Sequence, residues 1–310
     1  MIPIRPARRL AAAFAAFGSL LTALPAGAQS TVADPFRDPH YMSGHREIAP
    51  PAVPEELRDA DALTRISALK RIVACADPYA FPATENVGDP LGFDVDLVRA
   101  LAAEQGWEAH FVWVNTADRG GLNRAFRTTI RKGVCDVFLG LGTGGSEDVL
   151  ERSRLSLMAP SFGVQYVYAT FDAALKGRTP EQLGAAGVRA GATYFTPGEK
   201  ALARSGIAFE TFPQARRAIT AMAEGKVQVV LIPSTSMADA RRDHPGKTLH
   251  VISALPAEDA VQWNNTWATQ TREKALRSFL EARIAGMAAD GRLKTILGRY
   301  GIPWFPPVGG

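Results

Sequence analysis

The sequence holds only two cysteines, Cys75 and Cys135, and five histidines among 310 residues. A disulfide-dense scaffold is thereby excluded, and with no Cys-x-x-Cys so is a zinc site of clustered thiols. No segment beyond the first 28 residues stays apolar for the ~20 residues that a spanning helix needs. Charge of one sign is not in surplus either. The chain is +4 overall, but Arg5, Arg8 and Arg9 supply three of its 35 basic residues. Without the first 28 residues the balance is 32 basic to 31 acidic, a net of +1. This argues against nucleic acid or an anionic membrane surface as partner. G-x-S-x-G and H-E-x-x-H are missing, and His110, His244 and His250 are isolated. The reading left is a non-catalytic protein with no cofactor and no metal.

The leader carries a basic start (Arg5 to Arg9), an apolar run from Leu10 to Leu24, and small residues at Ala26-Gly27-Ala28. These are the three parts of a secretory signal over 1–28. A membrane anchor is the alternative, but Gly18, Ser19, Thr22 and Pro25 interrupt the run. Gln29 follows the cleavage point, so no lipid-bearing cysteine stands there. Export implies the periplasm. Residues 29–65 are rich in proline and charge without a period and read as an extension. His40 and His45 lie there among Asp34, Asp38 and Glu47, with nothing to fix them as metal ligands.

From Ile66 strands and helices alternate. Strands are expected at 71–76, 109–114 and 134–139, with helices starting near Asp94 and along Leu122, Phe126 and Ile130. The second half repeats this build: strands at 187–192, 209–212 and 227–232, helices at 197–204 and 215–224. Extended runs at 164–170 and 249–255 are placed to be two hinge strands, and helices over 273–289 and 291–299 close the chain. The expected fold is α/β with two lobes, each a mostly parallel sheet flanked by helices. Lobe 1 takes 66–166 and 253–302, lobe 2 takes 170–250, and 303–310 form a tail. Two sheets joined only by a double crossover are expected, and a monomer.

The segments Ile72-Val73-Ala74-Cys75-Ala76-Asp77-Pro78, Gly92-Phe93-Asp94-Val95-Asp96-Leu97, Lys132-Gly133-Val134-Cys135-Asp136-Val137 and Asp290-Gly291-Arg292-Leu293 to Arg299-Tyr300-Gly301 resemble the periplasmic solute-binding proteins of the polar-amino-acid type. The resemblance covers about residues 66–302. The Cys-Ala-Asp-Pro opening, Trp113 followed by Arg119-Gly120, and Cys-Asp-Val are similar to a narrower subgroup, the binding-protein-like accessory component of methanol-oxidation clusters. That likeness implies a quinoprotein alcohol dehydrogenase (one using pyrroloquinoline quinone), or its cytochrome, as partner. The alternative is the receptor of an ABC importer for a small polar solute.

In open α/β sheets ligands bind beyond the carboxyl ends of the strands. Those ends nominate Asp77, Tyr79, Phe81, Trp113, Asn115, Arg119, Gly142, Thr143, Tyr194 and Ser234 as cleft residues. Tyr79, Phe81 and Trp113 would form apolar walls, with Trp113 as core the competing reading. Asn115, Thr143 and Ser234 would orient a ligand. Arg119 either clamps a carboxylate or is an exposed arginine ahead of a helix. Asp77 is the one catalytic carboxylate to consider if the chain were an enzyme, against a turn cap before Pro78. The resemblance implies a Thr with an Arg three residues on, and an Asp at the end of the second lobe's central strand. Here Thr143-Gly144-Gly145-Ser146 and Pro233-Ser234 stand instead, which counts against a free amino acid as ligand. Gly140 to Gly145 fits G-x-G-x-x-G but follows the third strand and lacks the acid ~20 residues on, so it is not a dinucleotide loop. With Cys75 near the end of the first strand and Cys135 near the start of the third, the offset exceeds the ~7 Å limit for a bridge. This favours two buried thiols, with a disulfide as the alternative.

Overall fold

Alternation along Arg71–Ala76 decides what packs on each face of the first strand, β1. Ile72, Ala74 and Ala76 enter one core cluster, while Val73 and Cys75 enter another on the opposite face. A strand buried on both sides is what a parallel sheet between helical layers requires. The computed structural model describes residues 53–144, 147–255 and 262–309. The expected signal at 1–28 and the histidine-bearing part of the extension lie outside the described residues.

In chain order the first lobe contains α1 (Ala62–Leu69), β1, the short strands β2 (Tyr79–Ala80), β3 (Thr84–Val87) and β4 (Asp89–Leu91), then α2 (Phe93–Glu104) and β5 (Glu108–Trp113). It continues with α3 (Gly121–Thr128), β6 (Val137–Gly142), α4 (Glu147–Arg152) and β7 (Leu155–Leu157). The chain crosses on β8 (Phe162–Thr170). The second lobe then follows with α5 (Pro180–Ala185), β9 (Arg189–Thr193), α6 (Pro197–Ser205), β10 (Ala208–Phe212), α7 (Ala215–Ala223), β11 (Val229–Pro233), α8 (Met237–Asp243) and β12 (His250–Ala254). The return runs on β13 (Gln262–Gln270) to α9 (Lys274–Ala289) and α10 (Arg292–Arg299).

The strand order is β10-β9-β11-β8-β13-β6-β1-β5, with β12 on β8 and β7 on β13. β1, β5 and β6 are parallel, as are β9, β10 and β11; β8 and β13 run antiparallel to their neighbours and to each other. Two separate sheets were expected, yet the hydrogen bonding is continuous, because the two crossing strands pair with one another. What divides the molecule is the core. On one face of β8, Phe162 and Val164 enter the first lobe's core while Tyr166 and Tyr168 enter the second's. The change of core falls at Gln165.

The second hinge strand differs from expectation too. β12, at the expected 249–255, pairs with the second-lobe end of β8 (Val251 with Ala169), and β13 takes up the first-lobe end (Gln262 with Gln165). The polar run QWNNTWATQ hid β13, since six of its nine side chains are amides or hydroxyls. Tertiary contacts meet the buried ones at its centre: Asn265 Nδ2 donates to Asp94 at 3.1 Å and Thr266 Oγ1 to the Met158 carbonyl at 2.8 Å.

Local chemistry explains several starts. Asp61 caps α1 by accepting from Thr64 N at 3.1 Å. This helix begins inside the expected extension, and Ala62 and Ile66 bury on the core. Thr196 caps α6 ahead of Pro197. Gly92 precedes α2 with φ +132°, and a Cβ there would stand 2.2 Å from the Ala83 carbonyl oxygen. The C-terminal tail is held as well: Phe305 bridges to Gly163, and Val308 exchanges two hydrogen bonds with the Asn264 side chain at 2.7 and 3.0 Å.

The cysteine expectation is overturned. Cys75 and Cys135 form a disulfide with a Cα separation of 5.7 Å. β6 begins at Val137, later than the sequence suggested, and Cys75 stands opposite Phe138. Three extended residues would put Cys135 about 10 Å away, but the chain bends before the strand. Asp136 clamps the bend, its N–H donating to Val73 O at 2.8 Å and its carboxylate accepting from Val73 N at 2.9 Å.

Candidate functional site

The parallel strands of both lobes end toward the crossing ribbon, and the nominated residues divide there. Gly142 and Thr143 end β6 beside β13: Thr143 N donates to the Asn264 carbonyl at 3.0 Å, and Thr143 Oγ1 accepts from Asn264 N at 3.0 Å. A Cβ on Gly142 would lie 3.3 Å from the Trp263 ring, so glycine leaves room for that indole. Trp263 packs against both lobes' cores and stands edge-on to Tyr166, with centroids 6.2 Å apart. Tyr166 in turn lies against Gly198 in the first turn of α6. Burial raises the Tyr166 hydroxyl pKa against an opposing hydrogen bond with Thr196, so the phenol stays neutral. Gln165 and Gln262 are bonded to each other at 2.9 Å where the chain changes core.

Other nominated residues are structural. Trp113 is 5% exposed in the first lobe's core and stacked on Phe111, so it is not a cleft wall. It ends β5 facing α2's layer, and burial of its ring takes precedence. Ser234 is fully buried, its Oγ 3.5 Å from Gln165 N, and is not free for a ligand. Asn115 spends its side chain on Ala117 N and Asp118. Asp77 accepts from Tyr79 N with one oxygen, and from Thr116 N and its hydroxyl with the other. Both oxygens anchor loops, which is the turn-cap reading. Arg119 is exposed with no ion pair among the described residues. Tyr79 is half-exposed on β2 opposite Glu85.

Phe81 meets the other lobe. The Arg242 guanidinium, on α8, lies 3.9 Å from its ring centroid, a cation–π contact. Arg242 also bonds Glu85 on β3 at 3.3 Å and Asp239 at 3.2 Å. Burial raises Glu85, opposed by Arg242 and Arg216. Asp239 is pushed up to about 6 by burial, against Arg242. The cluster ties the β2–β4 sheet to α8. Arg242→Ala is expected to cost about 2 kcal/mol, because it strands the buried Glu85 and the largely buried Asp239 carboxylates, and Arg242→Lys to recover little of it without the planar fork. Urea melts at neutral pH check this; a variant as stable as the parent would remove the tie.

Tyr194 and Phe195, after β9, stand out. Phe195 is 89% exposed and Tyr194 44%, their rings edge-on at 5.2 Å, and Phe195 adopts a left-handed backbone with φ 59°. A bulky aromatic held so against solvent and sterics marks a functional position more often than a packing one. Sequence reasoning missed Phe195, Trp263, Tyr166, Gln165, Gln262 and Arg242. The only signal was Trp263 itself, a large aromatic inside a polar run.

Two α/β lobes joined by an antiparallel pair of crossing strands, with strand ends turned to the junction, define the two-lobed periplasmic-binding-protein fold. Solved structures of that fold are similar to this chain. The L-cystine solute receptor of Neisseria gonorrhoeae, in its unliganded open conformation, matches at TM-score 0.60 with 15% identity over 79% of this chain and 98% of its own. A polar amino acid ABC uptake transporter substrate binding protein from Streptococcus thermophilus matches at TM-score 0.61 with 14% identity over 77% and 89%. An ancestral cyclohexadienyl dehydratase matches at 0.58 with 14% identity over 78% and 96%. No protein-family model matches the chain, and no curated protein does.

Proposed function

We propose that this chain is an exported, non-catalytic receptor that takes a small solute between its lobes and presents it to an ABC importer. The observation that carries the reading is the junction itself, where Trp263 touches both cores beside Gly142, Thr143 and the start of α6. A solute there would meet aromatic walls and few polar groups, the usual make-up of a small-molecule site. Tyr194 and Phe195 stand at the second lobe's strand ends as aromatic surface to close over it. A free amino acid is disfavoured, since no arginine stands three residues after Thr143 and Pro233-Ser234 stands in place of an acid at the end of β11. The dehydratase likeness raises an enzyme as a rival, but Asp77 commits both carboxylate oxygens to structure.

Calorimetry of the exported chain against a panel of neutral and aromatic metabolites is expected to find one tight ligand. Trp263→Ala should weaken that ligand by roughly tenfold or more, the loss of one aromatic anchor. No binding across the panel would count against the receptor.

A second reading keeps the same cleft and changes the partner: an accessory protein of a quinoprotein alcohol dehydrogenase. It is favoured by the eroded amino-acid grip at Thr143 and Ser234. Recovery of the dehydrogenase or its cytochrome in periplasmic pull-downs supports it; recovery of a permease instead refutes it.

A further inference from the structure

The far end of β13 carries a different surface. From Trp263 to Gln270 the strand runs seven residues, roughly 23 Å, away from the junction. There a groove of about 1090 Å³ opens between α4, β7 and the start of α9. Arg131, Arg154, Arg272 and Lys274 line it, with Glu151 as the one carboxylate among the described lining residues. Arg131, Arg154 and Lys274 make no ion pair among the described residues, and Arg272 is bonded only to its neighbour Glu273, at 3.2 Å. In a chain whose expected exported form is nearly neutral, four cations gathered this way repel one another, with only Glu151 and Glu273 set against them among these residues.

A further observation points to a ligand. Ser153, which also lines the groove, is 1% exposed and its hydroxyl has no hydrogen-bond partner; native proteins seldom leave such a group unmet. Arg154 holds a left-handed backbone, φ 54°, with its carbonyl accepting from Thr271 N at 3.0 Å. That left-handed residue closes the end of α4, as Lys70 does for α1, and fixes where the Arg154 side chain starts. The sixteen-residue α9 also starts at Lys274, adding the positive end of its dipole.

We infer that this groove binds a small polyanion carrying two or more carboxylate or phosphate groups, independently of the solute cleft. Arginine forks suit both groups bidentately.

The test titrates the full exported chain with citrate and, separately, with inorganic pyrophosphate, at low salt and at about 0.5 M NaCl. Saturable one-site binding of at least one probe is expected, weakened by salt. Arg131→Glu and Lys274→Glu should each weaken it about tenfold or more. Arg58→Glu, the same charge change at an exposed site elsewhere, and Tyr194→Ala at the cleft should leave it unchanged. Response to citrate alone assigns carboxylates, to pyrophosphate alone phosphates, and to both the shared chemistry. No saturable binding, equal weakening by Arg58→Glu, or loss in Tyr194→Ala would each overturn the site.

Discussion

Replacing both Cys75 and Cys135 by alanine is expected to lower stability by about 2–4 kcal/mol and Tm by roughly 5–15 °C. The bridge spans 60 residues of sequence, so it removes substantial freedom from the unfolded chain. Loop-closure arithmetic for that span gives about 4 kcal/mol. Both residues are buried, at 0% and 3% exposed, so a reductant should act only as the protein opens. Reduction under native conditions should therefore be slow, and then as damaging as the double substitution. Denaturant melts with and without reductant measure this. A double variant melting with the parent would mean that the Asp136 clamp on Val73 alone holds β1 and β6 in register.

Asp94 is the second site of large effect. It is fully buried at the start of α2, accepting from Gly140 N at 3.0 Å and from Asn265 Nδ2 at 3.1 Å. One carboxyl thus joins a helix to both β6 and β13. Burial pushes its pKa up to about 7, against those hydrogen bonds. Because the folded value lies above the unfolded one, its linkage favours the fold at low pH. That contribution is complete below about pH 4 and lost as pH rises through about 7, a swing on the order of 4 kcal/mol. Asp94→Asn should flatten this pH dependence and equal or exceed the parent at pH 8. Asp94→Ala should cost about 3 kcal/mol at pH 5, since Gly140 and Asn265 lose their acceptor. Urea melts from pH 4 to 8 distinguish the two, and a parent whose stability rises through pH 7 would show the carboxylate to be ionised throughout.

Much of the architecture was legible in the residues alone. Apolar alternation and helical stripes placed β1, β5, β9, β10 and β11 within two residues of their observed bounds, along with α6, α7, α9 and α10 and the start of α2. Except for the largely exposed β10, those elements bury a face or a stripe, and burial is written in residue type. Asp77 as a turn cap was also readable, since Asp before Pro seldom does otherwise. β13, the β2–β4 sheet and α8 were not. Their side chains are polar or short-range, and only partners distant in sequence satisfy them: Met158 and Asp94 for β13, Arg242 for Glu85.

The sequence by itself determined the alternation of strand and helix, the pairing of two like halves, and the absence of metal or nucleophile motifs, because periodicity and composition are local. Tertiary structure alone decided that Cys75 meets Cys135, that Trp113 belongs to the core, and that Trp263 stands at the junction. Each of these turns on where a strand starts or which face it shows, and a shift of two or three residues there moves a side chain by many ångströms.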